Sequence, residues 1–214
     1  MLKAIIFDLD GTLTDSDKFH FQVFKNFFAL HGISLDRSLY RQKITGSQNI
    51  TILAEFLPHI STTAGKVFSA EKEESFRRLA KGQITPLPGL MTFLQKIQAR
   101  GLPAAVVTNA PTENAAFMLG ELGLSNRFHP VIIGDDLPRG KPDPLPYQTA
   151  LNRLGLRPEE AIAFEDSRAG IRSAVGAGLK TIGMTTTHTS EELLEVGVAK
   201  TIADFTDPFI QNLL

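Results

Sequence analysis

From residue 85 onward the chain alternates short apolar runs with helix-length segments, and this alternation restricts the fold more than any other feature. Residues 90–100 read as a helix before the apolar run 103–108, and 113–122 as a helix before 130–133. Residues 144–155 are mostly helix before a strand at 161–164, and 168–177 a helix before a strand at 180–184. A short helix over 190–196 precedes a last strand near 201–203. Strands separated by helices, rather than by tight turns, build a parallel sheet with helices on both faces. At the start, Ala4-Ile5-Ile6-Phe7 is apolar without a break, the pattern of a strand buried on both sides.

Between this first strand and the alternating region, residues 15–81 read as mainly helical. Phe21, Phe24 and Phe28, with Val23 and Phe27, trace one apolar helix face that ends near His31-Gly32. A second pattern covers Ile50, Ile52, Leu53, Phe56 and Leu57 and stops at Pro58, and a third runs over 61–81 with charge on its outer side. The expected organisation is an α/β Rossmann-like core of residues 1–14 and 86–214, with helices on both faces. Residues 15–85 are inserted into it as an α-helical cap, with hinges near 14–16 and 85–88. The chain has fifteen Phe and no Trp, and five of them (Phe19, Phe21, Phe24, Phe27 and Phe28) crowd the first inserted helix, where they are expected to form the core of the cap.

The charge balance, 22 basic against 23 acidic residues, offers no basic stripe for nucleic acid or anionic membrane. There are no cysteines, which excludes disulfides, thiolate metal sites and thiol nucleophiles. The N-terminal apolar run is too short to span a membrane and lacks a small-residue cleavage site. The expectation is a soluble, cytoplasmic monomer that meets neither nucleic acid nor membrane.

In open parallel sheets ligands bind beyond the carboxyl ends of the strands. The first strand ends in Asp8-Leu9-Asp10-Gly11-Thr12, two carboxylates spaced i, i+2, which is costly unless a cation or a shared proton compensates them. The run to Val107 delivers Thr108 and Asn109; the strand at 161–164 delivers Glu165, Asp166 and Ser167. A stiff Pro-rich loop carries Lys141. Oxygen ligands without Cys or clustered His favour Mg2+ over zinc. A carboxylate such as Asp8 can attack phosphorus, Asp10 can move the proton, and Lys141 with a cation can offset the negative charge. Asp135 and Asp136, after the run 130–133, stand as further candidates for the outer shell of the metal, equally readable as loop residues.

Four segments together carry a resemblance: Asp8-Leu9-Asp10-Gly11-Thr12, Val107-Thr108-Asn109, Lys141-Pro142-Asp143-Pro144 and Phe164-Glu165-Asp166-Ser167-Arg168-Ala169-Gly170. In this order they resemble the haloacid dehalogenase-like hydrolase superfamily, and within it the β-phosphoglucomutase-like phosphatase branch. The resemblance implies Asp8 as nucleophile and Asp10 as general acid and base. It implies Thr108 and Lys141 as phosphate-binding residues; Asn109, placed beside Thr108 at the strand end, is expected with nearby backbone N–H groups to join them. Metal binding falls to Asp8, Asp166 and the backbone carbonyl of Asp10, with Glu165 nearby. An aspartate at position 10 favours phosphatase or phosphomutase over dehalogenase, because a departing alkoxide needs a proton donor and a halide does not.

The inserted block is expected to select the substrate, a small phosphorylated metabolite of the sugar or polyol phosphate class. Its candidates are His20 near the hinge, Lys72, and Asn49. At about the position of Asn49 the mutase branch has an arginine that holds a second phosphate, and an amide does not replace a bidentate guanidinium. That departure tips the reading from a β-phosphoglucomutase-type mutase towards hydrolysis. Lys72, with Lys66, Arg77 and Arg78 nearby, reads equally well as part of a solvated charged face. A non-catalytic relative of the fold and a phosphonatase using Lys18 or Lys72 are further readings.

Overall fold

The computed structural model describes residues 1–214. Six parallel strands form one sheet: β1 (Ala4–Phe7), β2 (Ala104–Thr108), β3 (Val131–Ile133), β4 (Ala161–Glu165), β5 (Lys180–Met184) and β6 (Lys200–Ile202). Their order is β3-β2-β1-β4-β5-β6, the doubly wound arrangement whose strand order reverses beside β1. Every residue of β1 is buried. Its side chains alternate between faces. Ile5 and Phe7 join a large core cluster with α5 (Leu90–Ala99) and α6 (Thr112–Glu121), while Ala4 and Ile6 pack against α7 (Leu145–Leu154) and α8 (Arg168–Gly176). The uninterrupted apolar run of β1 is thus explained by helices on both sides.

The helical block holds α1 (Asp17–Ala29), α2 (Arg37–Lys43), α3 (Asn49–Phe56) and α4 (Thr62–Ala80). The two segments that join it to the sheet run side by side: Thr14 Oγ1 donates to the Thr85 carbonyl at 2.7 Å, and Leu87 N–H to the Leu13 carbonyl at 2.9 Å. Helix α2 lies outside the apolar patterns of the sequence because it buries a single residue, Tyr40; its N-cap is Asp36, which accepts from Leu39 N–H at 2.7 Å. The C-terminal α9 (Ser190–Leu194) and α10 (Pro208–Gln211) complete the structure.

The phenylalanine stripe of α1 is not a single cap core. Phe24 and Phe28 pack with Tyr40, Ile52, Leu53 and Phe68 inside the helical block. Phe19 and Val23 instead join the large cluster of the sheet, as does Phe76 of α4. Nor is the Phe excess confined to α1. Phe7, Phe93, Phe128, Phe164 and Phe205 form a second aromatic cluster under the end of β1, with Phe7 stacked on Phe164 at 5.4 Å between ring centres and edge-on to Phe128 at 5.8 Å. Such pairs add about 0.5–1.5 kcal/mol each beyond their area burial and stiffen the base on which Asp8 stands.

Candidate active site

Strand register brings the carboxylates together. Phe7 pairs with Phe164, and Asp8 N–H donates to the Phe164 carbonyl at 2.9 Å, so Asp8 leaves the sheet alongside Glu165 and Asp166. Side-chain oxygens of Asp8, Glu165 and Asp166 lie within 4.8 Å of one another, and all three residues are buried. Gly11, at φ 76°, closes the turn after Asp10 in a conformation that disfavours side chains, and a Cβ there would collide with the Asp166 carboxylate.

Lys141 is the counterion. Its ammonium donates to Asp8 Oδ1 at 2.6 Å, Glu165 Oε1 at 2.5 Å and the Val107 carbonyl at 2.7 Å, which commits all three of its N–H donors. Burial opposes the charge of Lys141, but Asp8 and Glu165 outweigh it and hold the ammonium above the ordinary lysine range. Burial likewise pushes the Asp8 carboxyl up, to about 8, against the pull of Lys141. Asp166 is raised well above its ordinary range, first by burial and then by Asp8 and Glu165. Only with all three carboxyls ionised would one ammonium leave two negative charges, and in the absence of a further cation the raised Asp8 and Asp166 relieve that by keeping protons. The ionised donor set, all oxygen and short of two positive charges, fits one hard divalent cation.

Glu165 is held from every side. Tyr147 Oη donates to it at 3.0 Å, and the backbone N–H of Asp166 and Ser167 donate at 3.0 and 3.3 Å. Its carboxylate lies where a Cβ on Gly170 would sit, so the glycine of α8 gives it room. Asp166 accepts from Thr187 Oγ1 at 2.7 Å, a contact the sequence reading did not foresee. The same strand-end rule applied to β5 leads to Thr185-Thr186-Thr187 and would have found it.

The side chain of Asp10 stands apart from this carboxylate group. Its Oδ1 accepts from Ser16 Oγ at 2.5 Å and lies 3.1 Å from His20 Nε2. Burial pushes the carboxyl up; the hydrogen bonds from His20 and Ser16 outweigh that and leave it below the usual carboxylate range. The backbone carbonyl of Asp10 receives no backbone N–H.

Thr108 Oγ1 accepts from Ala110 N–H at 2.9 Å and faces the same cavity as Asp8. The side chain of Asn109 has structural partners of its own. Its Nδ2 donates to the carbonyls of Gly46 and Lys141 at 3.0 and 3.1 Å, and its Oδ1 accepts from Lys141 N–H at 3.0 Å. The amide is spent on tying the Lys141 loop to the helical block. Asp135 is also occupied elsewhere: it accepts from Gln48 Nε2 at 2.5 Å and is no part of the carboxylate group.

The residues singled out on the helical block close the cavity from above. His20 Nδ1 is 3.2 Å from Lys72 Nζ, and its ring stacks on Phe76 with centroids 3.9 Å apart. Lys72 is buried, not on a solvated face, and donates to Glu73 Oε1 at 2.8 Å. Asn49 Nδ2 donates to the same oxygen at 2.6 Å. Ser16, Tyr40, Glu73 and Asn114 line the cavity too. Sequence reasoning missed them because each is brought there by the crossing of two elements.

A carboxylate pair at the reversal point of a doubly wound sheet, with a lysine held on the first, defines a hydrolase of the haloacid dehalogenase-like type. The model of the haloacid dehalogenase-like hydrolase family matches residues 2–178, and the chain belongs to that family. It is similar to validoxylamine A 7'-phosphate phosphatase of Streptomyces hygroscopicus subsp. limoneus, 35% identical over 204 residues and covering 92% of each chain. A phosphorylated carbohydrates phosphatase of Thermotoga maritima is 30% identical over 185 residues, covering 85% of this chain and 84% of its own. Among solved structures, a variant of CbbY from Rhodobacter sphaeroides in complex with xylulose-(1,5)bisphosphate superposes with a TM-score of 0.86 at 30% identity, covering 97% of this chain and 96% of that one.

Proposed function

We propose that this chain is a magnesium-dependent phosphatase that hydrolyses a small phosphorylated sugar or polyol through an aspartyl-phosphate on Asp8. The observation that carries the reading is the division of labour between two carboxylates: Asp8 is held by Lys141 at 2.6 Å, and Asp10 by Ser16 and His20. In the first step an Asp8 oxygen attacks phosphorus, the ester P–O bond breaks, and Asp10 gives its proton to the departing alkoxide. The free carboxyl of Asp10 favours the ionised form, so it is loaded as an acid by the approach of the phosphate dianion, a like charge that raises its proton affinity. In the second step ionised Asp10 takes a proton from water, the water oxygen bonds to phosphorus, and the bond to Asp8 breaks.

Thr108 has a hydroxyl proton to offer a non-bridging oxygen. Lys141 acts through its charge, since its protons are committed to Asp8, Glu165 and Val107. Asn109 is a positioning residue for the Lys141 loop. Magnesium would be held by Asp8, Asp166 and the Asp10 carbonyl with Glu165 behind them, and when bound it neutralises charge between nucleophile and phosphate. Residues 15–85 serve as the cap that screens the site from bulk water.

Asp8→Asn tests the mechanism. The expected result is loss of magnesium-dependent phosphate release from p-nitrophenyl phosphate with an unchanged circular dichroism spectrum. Wild type quenched during turnover with a sugar phosphate is expected to carry a phosphoryl adduct at Asp8 by mass spectrometry. Hydrolysis retained by the variant overturns the reading.

A further inference from the structure

The cavity wall opposite Asp8 carries a buried carboxylate that the reaction does not use. Glu73 is 6% exposed. Its Oε1 accepts from Asn49 Nδ2 at 2.6 Å and Lys72 Nζ at 2.8 Å, and its Oε2 accepts from Asn114 Nδ2. These partners come from α3, α4 and α6, so Glu73 joins the helical block to the sheet domain at the rim of the site. The lysine of this wall, Lys72, is paired with Glu73, and Arg77, which reaches the lining residue Asn114 from outside the cavity, is paired with Asn114 Oδ1 at 2.7 Å and Glu113 at 3.1 Å. The wall therefore has no net positive charge to offer an incoming group.

Its hydrogen-bonding capacity is equally selective. Glu73 Oε2 holds one donor and has room for another, and Asn49 Oδ1 receives none. Lys72 Nζ has one N–H beyond those given to Glu73 and His20. Unspent acceptors beside a single unspent donor suit hydroxyl groups, which can both give and accept. They do not suit a second phosphate or a carboxylate, which only accept and would meet the Glu73 charge. Like charges brought together at such a wall cost several kcal/mol.

We propose that Glu73 is a specificity-determining residue that admits a neutral, hydroxyl-bearing tail on the substrate and rejects a second anionic group. This rests on the phosphatase reading above. The fold itself admits bisphosphates, as the CbbY complex with xylulose-(1,5)bisphosphate illustrates. The proposal places the rejection in the charge of this wall and not in the fold.

The test is competition against magnesium-dependent hydrolysis of p-nitrophenyl phosphate by sorbitol 6-phosphate and by sorbitol 1,6-bisphosphate. Wild type is expected to bind the monoester at least about 30-fold more tightly than the bisphosphate. Glu73→Gln removes the charge, keeps the shape and leaves Lys72 uncompensated, so it narrows that ratio by about 10-fold or more. Asn49→Lys, which keeps the Glu73 side chain but replaces its amide hydrogen bond by a neighbouring cation, narrows it in the same direction and decides the matter if E73Q does not fold. A wall that only braces the structure changes both inhibition constants alike and leaves the ratio unmoved. An unmoved ratio in the folded variants, or equal binding of the two esters by wild type, overturns the proposal. Absence of p-nitrophenyl phosphate hydrolysis in wild type overturns the phosphatase reading instead.

Discussion

The Lys141 ammonium donates to Asp8 Oδ1 across 2.6 Å while donating to Glu165 Oε1 on its other side, so one cation holds the proposed nucleophile and its buried neighbour apart. Both contacts are screened from water. Lys141→Met removes the charge and keeps most of the stem, leaving two carboxylates buried without a counterion. Breaking a buried pair in this way costs about 3–5 kcal/mol. The expected outcome is a lower denaturation midpoint without added metal and loss of phosphate release. An unchanged midpoint would show that Lys141 does not carry the electrostatic balance of the site.

The same balance gives a pH dependence with a definite sign. Burial first of all raises Asp8 to about 8, and Asp166 moves in the same direction. Between the ordinary carboxylate range and about pH 8, the folded state thus keeps protons that the unfolded chain has released, and stability falls as pH rises. Asp10 and Glu73, whose carboxyls are lowered, contribute in the opposite sense only below the ordinary range, outside that window. In chelator the melting temperature is expected to drop from about pH 6 to about pH 8, and magnesium is expected to restore more of it at the higher pH, because metal and protons compete for the same oxygens. Thermal melts at both pH values, with and without the ion, check this; a magnesium effect that is larger at low pH contradicts it.

Much of this arrangement is legible in the residues. The unbroken apolar run before Asp8 marks a two-sided strand, and the rule that ligands gather at strand ends leads directly to Thr108, Glu165 and Asp166. What is not legible depends on crossings between distant segments. Nothing in the sequence around Asn109 tells that its amide spans the loops at Gly46 and Lys141. Lys72 sits in a charged stretch of α4 and reads as solvated, yet His20, Glu73 and Phe24 enclose it. Helix α2 buries one side chain and leaves no apolar period to read. Local chemistry is written in local sequence; the partner that redirects a side chain is not.

Gly170 shows how closely the site is packed from behind. Any side chain there would begin inside the space of the Glu165 carboxylate, which cannot retreat because Lys141, Tyr147 and two backbone N–H groups hold it. Gly170→Ala is expected to destabilise the protein by about 1–3 kcal/mol or more, the range of overpacked cores, although alanine favours helix. Urea unfolding measures the change. A neutral or stabilising result would mean that Glu165 is free to move, and its role as a fixed anchor for Lys141 would have to be abandoned.

His20 links the proton carrier to the cavity wall, and its hydrogen bonds settle which ring nitrogen does what. Lys72 Nζ has only N–H donors to give, so His20 Nδ1, 3.2 Å away, accepts. Nε2 then carries the proton and donates to Asp10 Oδ1 at 3.1 Å. This bond helps keep Asp10 ionised, against burial, and so ready to take a proton from water. His20→Phe preserves the stacking on Phe76 and removes both hydrogen bonds. Asp10 then holds its proton more tightly, so the acidic limb of the kcat profile moves to higher pH where breakdown of the aspartyl-phosphate limits turnover. At neutral pH kcat falls by about 10- to 100-fold. A variant that keeps the fold and the wild-type pH profile would show that Ser16 alone sets the state of Asp10, because Ser16 Oγ is the other side-chain donor on that oxygen.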